Sequence, residues 1–220
     1  MSMIMQKSRT KITTKELVTI GLLAALAYVL MLLHLPFKYL GFLEIEFSDI
    51  PAIFAALQFG PLAGVFVEMV KNLIKALSAS TTSGVGELAN FIISSAYVIP
   101  VGILYKIRKG WNGKAESGSV NSKKESSDAK KNAFIILIFV IGTICMTATG
   151  AILNYYVTVP LYAKLYGGMD VIVGASEKYL SVVKDLKTLV LLGITPFNVV
   201  KGAGMSIIGY YTYKYLKNRI

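Results

Sequence analysis

Five stretches of this chain, each 18 residues or longer, are free of charge or carry a single one: Leu17 to Leu35, Ile50 to Val67, Leu88 to Tyr105, Asn132 to Ala163 and Thr188 to Tyr213. An apolar stretch of that length crosses the roughly 30 Å hydrocarbon layer when it is helical, because a helix satisfies its own backbone hydrogen bonds where water is absent. The chain therefore reads as an integral membrane protein. A hydrophobic content of 55% against 16% charged residues excludes an ordinary soluble domain. Gly60-Pro61 breaks the second stretch, and the apolar pattern resumes beyond Glu68 and Lys71 as far as Leu77. Two helices are expected there. The fold class is thus an all-α membrane protein of six transmembrane helices, a single domain over residues 1–220.

A formal net charge of +11 would point to nucleic acid in a soluble protein, but here its placement decides the reading. Of the 23 basic residues, four precede the first span, eight lie between Lys106 and Lys131, and Lys214, Lys217 and Arg219 follow the last. Six helices put all of these on one side, which the positive-inside rule assigns to the cytoplasm together with both termini. No nucleic-acid partner is expected. The loops 36–48, 78–86 and 160–187 then face outward. Residues 109–131, rich in Gly, Ser, Asn and Lys, read as a flexible cytoplasmic linker. Thr13-x-x-Glu16 predicts a capping box at the start of the first helix, which lacks a cleavage site and is read as retained.

Several chemistries are excluded. Cys145 and His34 are each the only residue of their type, so neither an internal disulfide nor a Cys- or His-based metal site is expected, and no cofactor is implied. No G-x-x-x-x-G-K-[S/T] occurs, so any ATP-driven step needs a partner. No paired carboxylates point to catalysis. A membrane enzyme using Glu68 or Glu87 as a base is a distant alternative.

The polar residues within or beside the spans are few: Glu68, Lys71, Asn72, Glu87, Asn90, Asn154, Asn198 and Lys201. An ionisable residue in a membrane helix is expensive and faces a partner, a cavity or a ligand. Glu68 and Lys71 are spaced for an intrahelical ion pair. Gly86 and Glu87 open the fourth helix, where backbone amides and a carboxylate can meet a ligand from outside or cap the helix. Asn154, with Tyr155 and Tyr156 after it, falls near the outer end of the fifth helix. Asn198 and Lys201 share one face of the sixth, and Pro196 before them frees a carbonyl. Amides, a cation and aromatic planes suit a small, flat, hydrogen-bonding solute; an interhelical clamp without ligand is the alternative. In the first helix, Gly21, Ala24 and Ala25 include a small-xxx-small pair that admits another helix at close range, from this chain or a partner.

Four blocks, Phe42-Leu-Glu-Ile-Glu-Phe-Ser-Asp-Ile-Pro51, Phe59-Gly-Pro-Leu-Ala-Gly64, Glu68-x-x-Lys-Asn72 and Gly86-Glu-Leu-Ala-Asn-Phe91, resemble in order and spacing the substrate-binding S subunits of energy-coupling-factor vitamin transporters, and among these the riboflavin-specific type. The resemblance implies a multi-pass protein of the prokaryotic cell membrane that captures its vitamin at the outer face. It also implies partners: a transmembrane coupling subunit and two ATPases. Asn154, Asn198 and Lys201 match the flavin contacts of that type. Residues 36–43 match its lid, so that Phe37, Tyr39 and Phe42 would close over the ring. Gly21-x-x-x-Ala25 stands where an Ala-x-x-x-Ala motif is thought to contact the coupling subunit. An S subunit for another vitamin or a purine-like solute is the nearest alternative.

Overall fold

The computed structural model describes residues 13–33, 38–44, 46–115 and 124–217, with side chains in all of these except 109–115, 124–131 and 217. The first helix, α1 (Thr14–Leu32), starts as its sequence predicts: the Glu16 amide donates to the Thr13 hydroxyl, and the Thr13 amide donates to the Glu16 carboxylate at 2.8 Å. A tight hairpin follows. Strand β1 (Lys38–Tyr39) pairs antiparallel with β2 (Leu43–Glu44), placing Lys38 opposite Glu44. Leu40 and Gly41 turn the chain with φ of +53° and +83°. This small sheet is an addition to the expected all-α fold.

All six expected helices are present, but they are not six equal spans. Four stretches are long and apolar enough to cross a bilayer among the described residues: Thr14–Leu32, Val85–Arg108, Asn132–Leu165 and Leu186–Leu216. The second helix, α2 (Ile50–Phe59), has ten residues and so covers about 15 Å, half a hydrocarbon layer. The third, α3 (Pro61–Ser78), carries Glu68, Lys71 and Lys75 within its length. Gly60, at φ +105°, reverses the chain between them. A side chain at Gly102 would come within 2.8 Å of the Pro61 backbone, so this turn packs flush against the next helix, α4 (Val85–Ala115).

The fifth helix, α5 (Lys124–Leu153), continues through a π segment, Asn154–Thr158, into α6 (Val159–Leu165). The expected linker is therefore helical at both ends, and only 116–123 lie outside the described residues. Lys124, Glu125, Ala129 and the lysines at 130 and 131 are good helix formers that extend α5 backwards. The segment 160–187, expected as a loop, opens with the rest of α6, contains α7 (Met169–Glu177) and ends within the short α8 (Leu186–Thr188). A second π segment, Leu189–Ile194, leads into α9 (Thr195–Lys217). Both π segments end just before a proline, Pro160 and Pro196. A proline offers no amide and its ring crowds the carbonyl four residues back, so widening the turn relieves the clash. The Thr195 amide and hydroxyl both donate to the Val190 carbonyl, the hydroxyl at 2.8 Å.

Two apolar clusters hold the bundle. The larger centres on Ile53, Ala56, Tyr97, Val101, Ile138 and Phe139, where α2, α4 and α5 meet. The smaller joins Leu40 of the hairpin to Val159, Val173, Val183, Leu189 and Ile194. At one end, Arg108 lies over the rings of Phe134 and Tyr213, at 5.5 and 5.7 Å, which gathers the ends of α4, α5 and α9 where the basic residues concentrate. At the other, the Tyr28 and Ser78 hydroxyls meet at 2.8 Å. Cysteine labelling checks the orientation: with Cys145→Ser as background, Lys187→Cys reacts with an impermeant maleimide in intact cells, whereas Lys214→Cys reacts only after permeabilisation. The reverse pattern inverts the topology.

Candidate functional site

A cavity of about 470 Å³ opens among the hairpin, the start of α4, both π segments, α7 and the start of α9. That volume suits a drug-sized organic molecule. Its walls mix aliphatic and aromatic groups, such as Phe42, Tyr162 and Phe197, with Asn154, Asn198 and Lys201. The π segment before Asn198 widens the turn and shifts that residue around the helix axis, whereas Asn154 is the first residue of the other π segment. The Asn154 amide donates to the Gly150 carbonyl at 2.8 Å, and Asn154 is 4% exposed. The Asn198 amide nitrogen is buried without a hydrogen-bond partner among the described residues. A Cβ at Gly150 would stand 2.3 Å from that nitrogen, so only glycine there lets Asn198 fit.

Lys201 also lines the cavity, and its surroundings are richer than its sequence context. Its ammonium reaches an oxygen of Asp49 at 2.9 Å and donates to the Asn90 side-chain carbonyl at 3.0 Å, with Glu46 at 4.0 Å. Asn90 in turn donates to Glu46 at 3.0 Å and to Asn72 at 3.2 Å. The expected Glu68–Lys71 pair is present at 2.9 Å with both side chains fully buried. It is one part of a larger cluster, since Lys71 also pairs with Asp49 and donates to the Ser48 hydroxyl at 2.8 Å. Two lysines and the carboxylates of Glu46, Asp49 and Glu68 thus share one buried region. Asp49 and Glu46 were not among the candidates read from sequence, for they lie in a segment read as an outer loop and helix start.

The remaining candidates divide. Phe42 lines the cavity and meets Tyr162 edge-on at 6.1 Å. Tyr39 does not line it; its ring stacks at 5.7 Å on Phe197, which does. Phe37 and His34 lie outside the described residues. Tyr155 and Tyr156 turn outward, 37% and 72% exposed, so the aromatic surfaces come from Phe42, Tyr162 and Phe197 instead. Gly86 and Glu87 border the cavity, but the Glu87 carboxylate accepts from the hydroxyls of Ser80 and Thr82, both at 2.9 Å, and so holds the loop before α4. Gly86 leaves room for the Tyr162 hydroxyl, which a Cβ would approach to 2.7 Å. On α1, Gly21 and Ala25 face outward with open space beside Gly21, whereas Ala24 is 1% exposed and packs into the core. The stripe available to another helix is therefore Gly21 and Ala25, without Ala24. No group of acidic, His or Cys residues among the described ones could hold a metal ion.

The hairpin is pinned over the cavity in two ways. Leu40 is 1% exposed and fits against Gly193, where a Cβ would lie 2.7 Å from its side chain. Glu44 pairs with Lys38 at 2.8 Å and with Lys75 of α3 at 3.1 Å. Partial burial opposes the Glu44 charge, but the two lysines outweigh it and hold its pKa below the ordinary carboxylate value. Because the folded value is the lower one, the latch contributes fully above the unfolded pKa and weakens as pH falls through the depressed value. Glu44→Gln at neutral pH is expected to speed amide exchange in 38–44 by about fivefold, as for loss of a partly exposed ion pair worth up to about 1 kcal/mol. Unchanged exchange would show that Leu40 alone holds the hairpin.

Residues 15–213 match the family model described as the substrate-specific component of ECF transporters. The riboflavin transporter FmnP of Bacillus subtilis is 34% identical over 197 residues, covering 88% of this chain and 87% of that protein. The riboflavin transporter RibU of Staphylococcus aureus is 33% identical over 205 residues, covering 93% and 91%. A solved structure of the S component of a bacterial ECF transporter aligns with a TM-score of 0.64 and 31% identity, over 93% of this chain and 96% of that one.

Proposed function

The chain belongs to the substrate-specific components of ECF transporters, and from that premise we propose that it is a riboflavin-binding subunit, which captures the vitamin at the outer face of the cell membrane and hands it inward. It is a transport protein and not an enzyme. The observation that carries this reading is the cavity of about 470 Å³ with its few convergent polar groups, in a chain one-third identical over most of its length to two riboflavin transporters. Riboflavin is a planar tricyclic ring with a carbonyl- and imide-bearing edge and a chain of hydroxyls. A ligand of that kind needs apolar faces and a small number of placed donors and acceptors, because each polar group left unpaired on burial costs about 1–3 kcal/mol.

Phe42, Tyr162 and Phe197 offer the ring apolar surface, with Tyr39 backing Phe197. Asn154 and Asn198 supply amide donors and acceptors, and Lys201 a charged donor to a carbonyl or hydroxyl oxygen. Gly86 and Glu87 shape the wall opposite. Six helices in the membrane with both termini cytoplasmic, α2 and α3 counted among them, agree with the basic residues near Arg108 and after Tyr213. The energy comes from partners, a transmembrane coupling subunit and two ATPases, which dock through the Gly21/Ala25 side of α1.

Two substitutions separate capture from coupling. Lys201→Ala weakens riboflavin binding by the isolated chain about tenfold or more, the loss of one charge-assisted hydrogen bond. Ala25→Trp leaves that binding intact and abolishes uptake of labelled riboflavin in cells carrying the coupling module, because the indole keeps a second helix away. Normal uptake by Ala25→Trp would move the docking surface elsewhere. Wild-type uptake of another vitamin or a purine without riboflavin would replace the substrate.

A further inference from the structure

Asp49 occupies the N-cap position of α2, where an aspartate ordinarily accepts from the amides of the first turn. It makes no such bond. Pro51 removes one of those amides, and the carboxylate is committed elsewhere: one oxygen to Lys71 of α3, the other to Lys201 of α9 at 2.9 Å. The residue is 2% exposed and does not itself border the cavity. Lys201 does border it; of its three N–H donors one goes to Asn90, and the ammonium rests against Asp49 as an ion pair at 2.9 Å. Glu46, at 4.0 Å, is too far for a hydrogen bond. A lysine side chain is long and flexible, and without a fixed anion its ammonium has no defined place.

We infer that Asp49 is a positioning residue for the ligand: fixed by its place at the start of the half-length helix, where it also pairs with Lys71, it holds the Lys201 ammonium so that a free N–H meets the solute. This deepens the riboflavin reading and rests on it. The carboxylate acts through Lys201 and not on the ligand. Its removal frees Lys201 to swing towards Glu46, away from the productive position.

The test is a double-substitution cycle on the purified full-length chain in detergent, read by quenching of riboflavin fluorescence with thermal unfolding alongside. Asp49→Asn is expected to raise Kd about tenfold, and Lys201→Met by at least as much. The double variant is expected to bind within about twofold of Lys201→Met, because an anchor has no effect once its cargo is gone. Lys71→Met, which removes the other partner of Asp49, lowers the melting temperature while Kd stays within about threefold, the spread of a modest indirect effect. The inference is overturned if Asp49→Asn leaves Kd unchanged or tightens it, if the two losses multiply, or if Lys71→Met costs as much affinity as Asp49→Asn. Should Asp49→Asn fail to fold, Asp49→Glu keeps the charge and displaces it by one methylene, and the same cycle with Lys201→Met decides. Absence of riboflavin binding by the wild-type chain overturns the functional reading itself; wild-type binding with multiplying losses overturns only the role of Asp49.

Discussion

The fold turns on a buried exchange of charge at the start of α2. There Lys71 and Lys201 meet the carboxylates of Glu46, Asp49 and Glu68, with the amides of Asn72 and Asn90 between them. Lys71 lies ten residues beyond Pro61, so Asp49 sits about 15 Å from the Gly60-Pro61 turn. Charges buried among helices are tolerated only when each finds a partner. Replacing such a cluster wholesale with apolar side chains can be neutral, but removing one member costs about 3–5 kcal/mol because its partner stays buried and unpaired. The cluster's contribution is therefore register. It fixes where α2 begins, ties that point to α3 and α9, and sets Lys201 at the cavity wall.

Around this anchor the outer half is built from irregular backbone. Two π segments, each ahead of a proline, widen α5 and the start of α9 where they pass the cavity, and between them they carry Asn154 and lead into Asn198. The hairpin closes over the space because Leu40 inserts beside Gly193 and Glu44 bridges Lys38 to Lys75. α7 supplies the facing wall and shares an apolar cluster with the hairpin. The inner half is regular by contrast, with close helix contacts at glycines such as Gly102 and an aromatic clamp on Arg108. The cavity, with the unpaired amide of Asn198, lies in the irregular half, while Gly21 and Ala25 of α1 face away from the core.

Hydropathy was sufficient to place every long helix, and spacing was sufficient for the Thr13 capping box and the Glu68–Lys71 pair, since both are local. Contacts between residues far apart in the chain were not legible. Lys71 pairs with Asp49 across 22 positions and Lys201 bonds Asn90 across 111, so no periodicity links them. α2 was counted as a transmembrane helix, although the stretch from Ile50 to the Gly60-Pro61 break holds only ten residues, because its composition is as apolar as that of a full span. Tyr155 and Tyr156 were expected to offer aromatic planes to the site, but they follow Asn154 directly along the helix and so turn away from it, to the exposed side. Ala24 is as small as Gly21 and Ala25 but is turned into the core. Asn154, Asn198 and Lys201 were legible because polar groups in an apolar span have few roles open to them, and the structure brings all three to one cavity.

The central claim is that this cavity holds one riboflavin. Titrating the purified wild-type chain with riboflavin, and following flavin fluorescence, tests it without any partner present. The account predicts saturable quenching at one flavin per chain, reversed by excess riboflavin-like competitor and untouched by thiamine or adenosine. A titration with no saturable quenching, or one in which adenosine competes as well as flavin does, would contradict it.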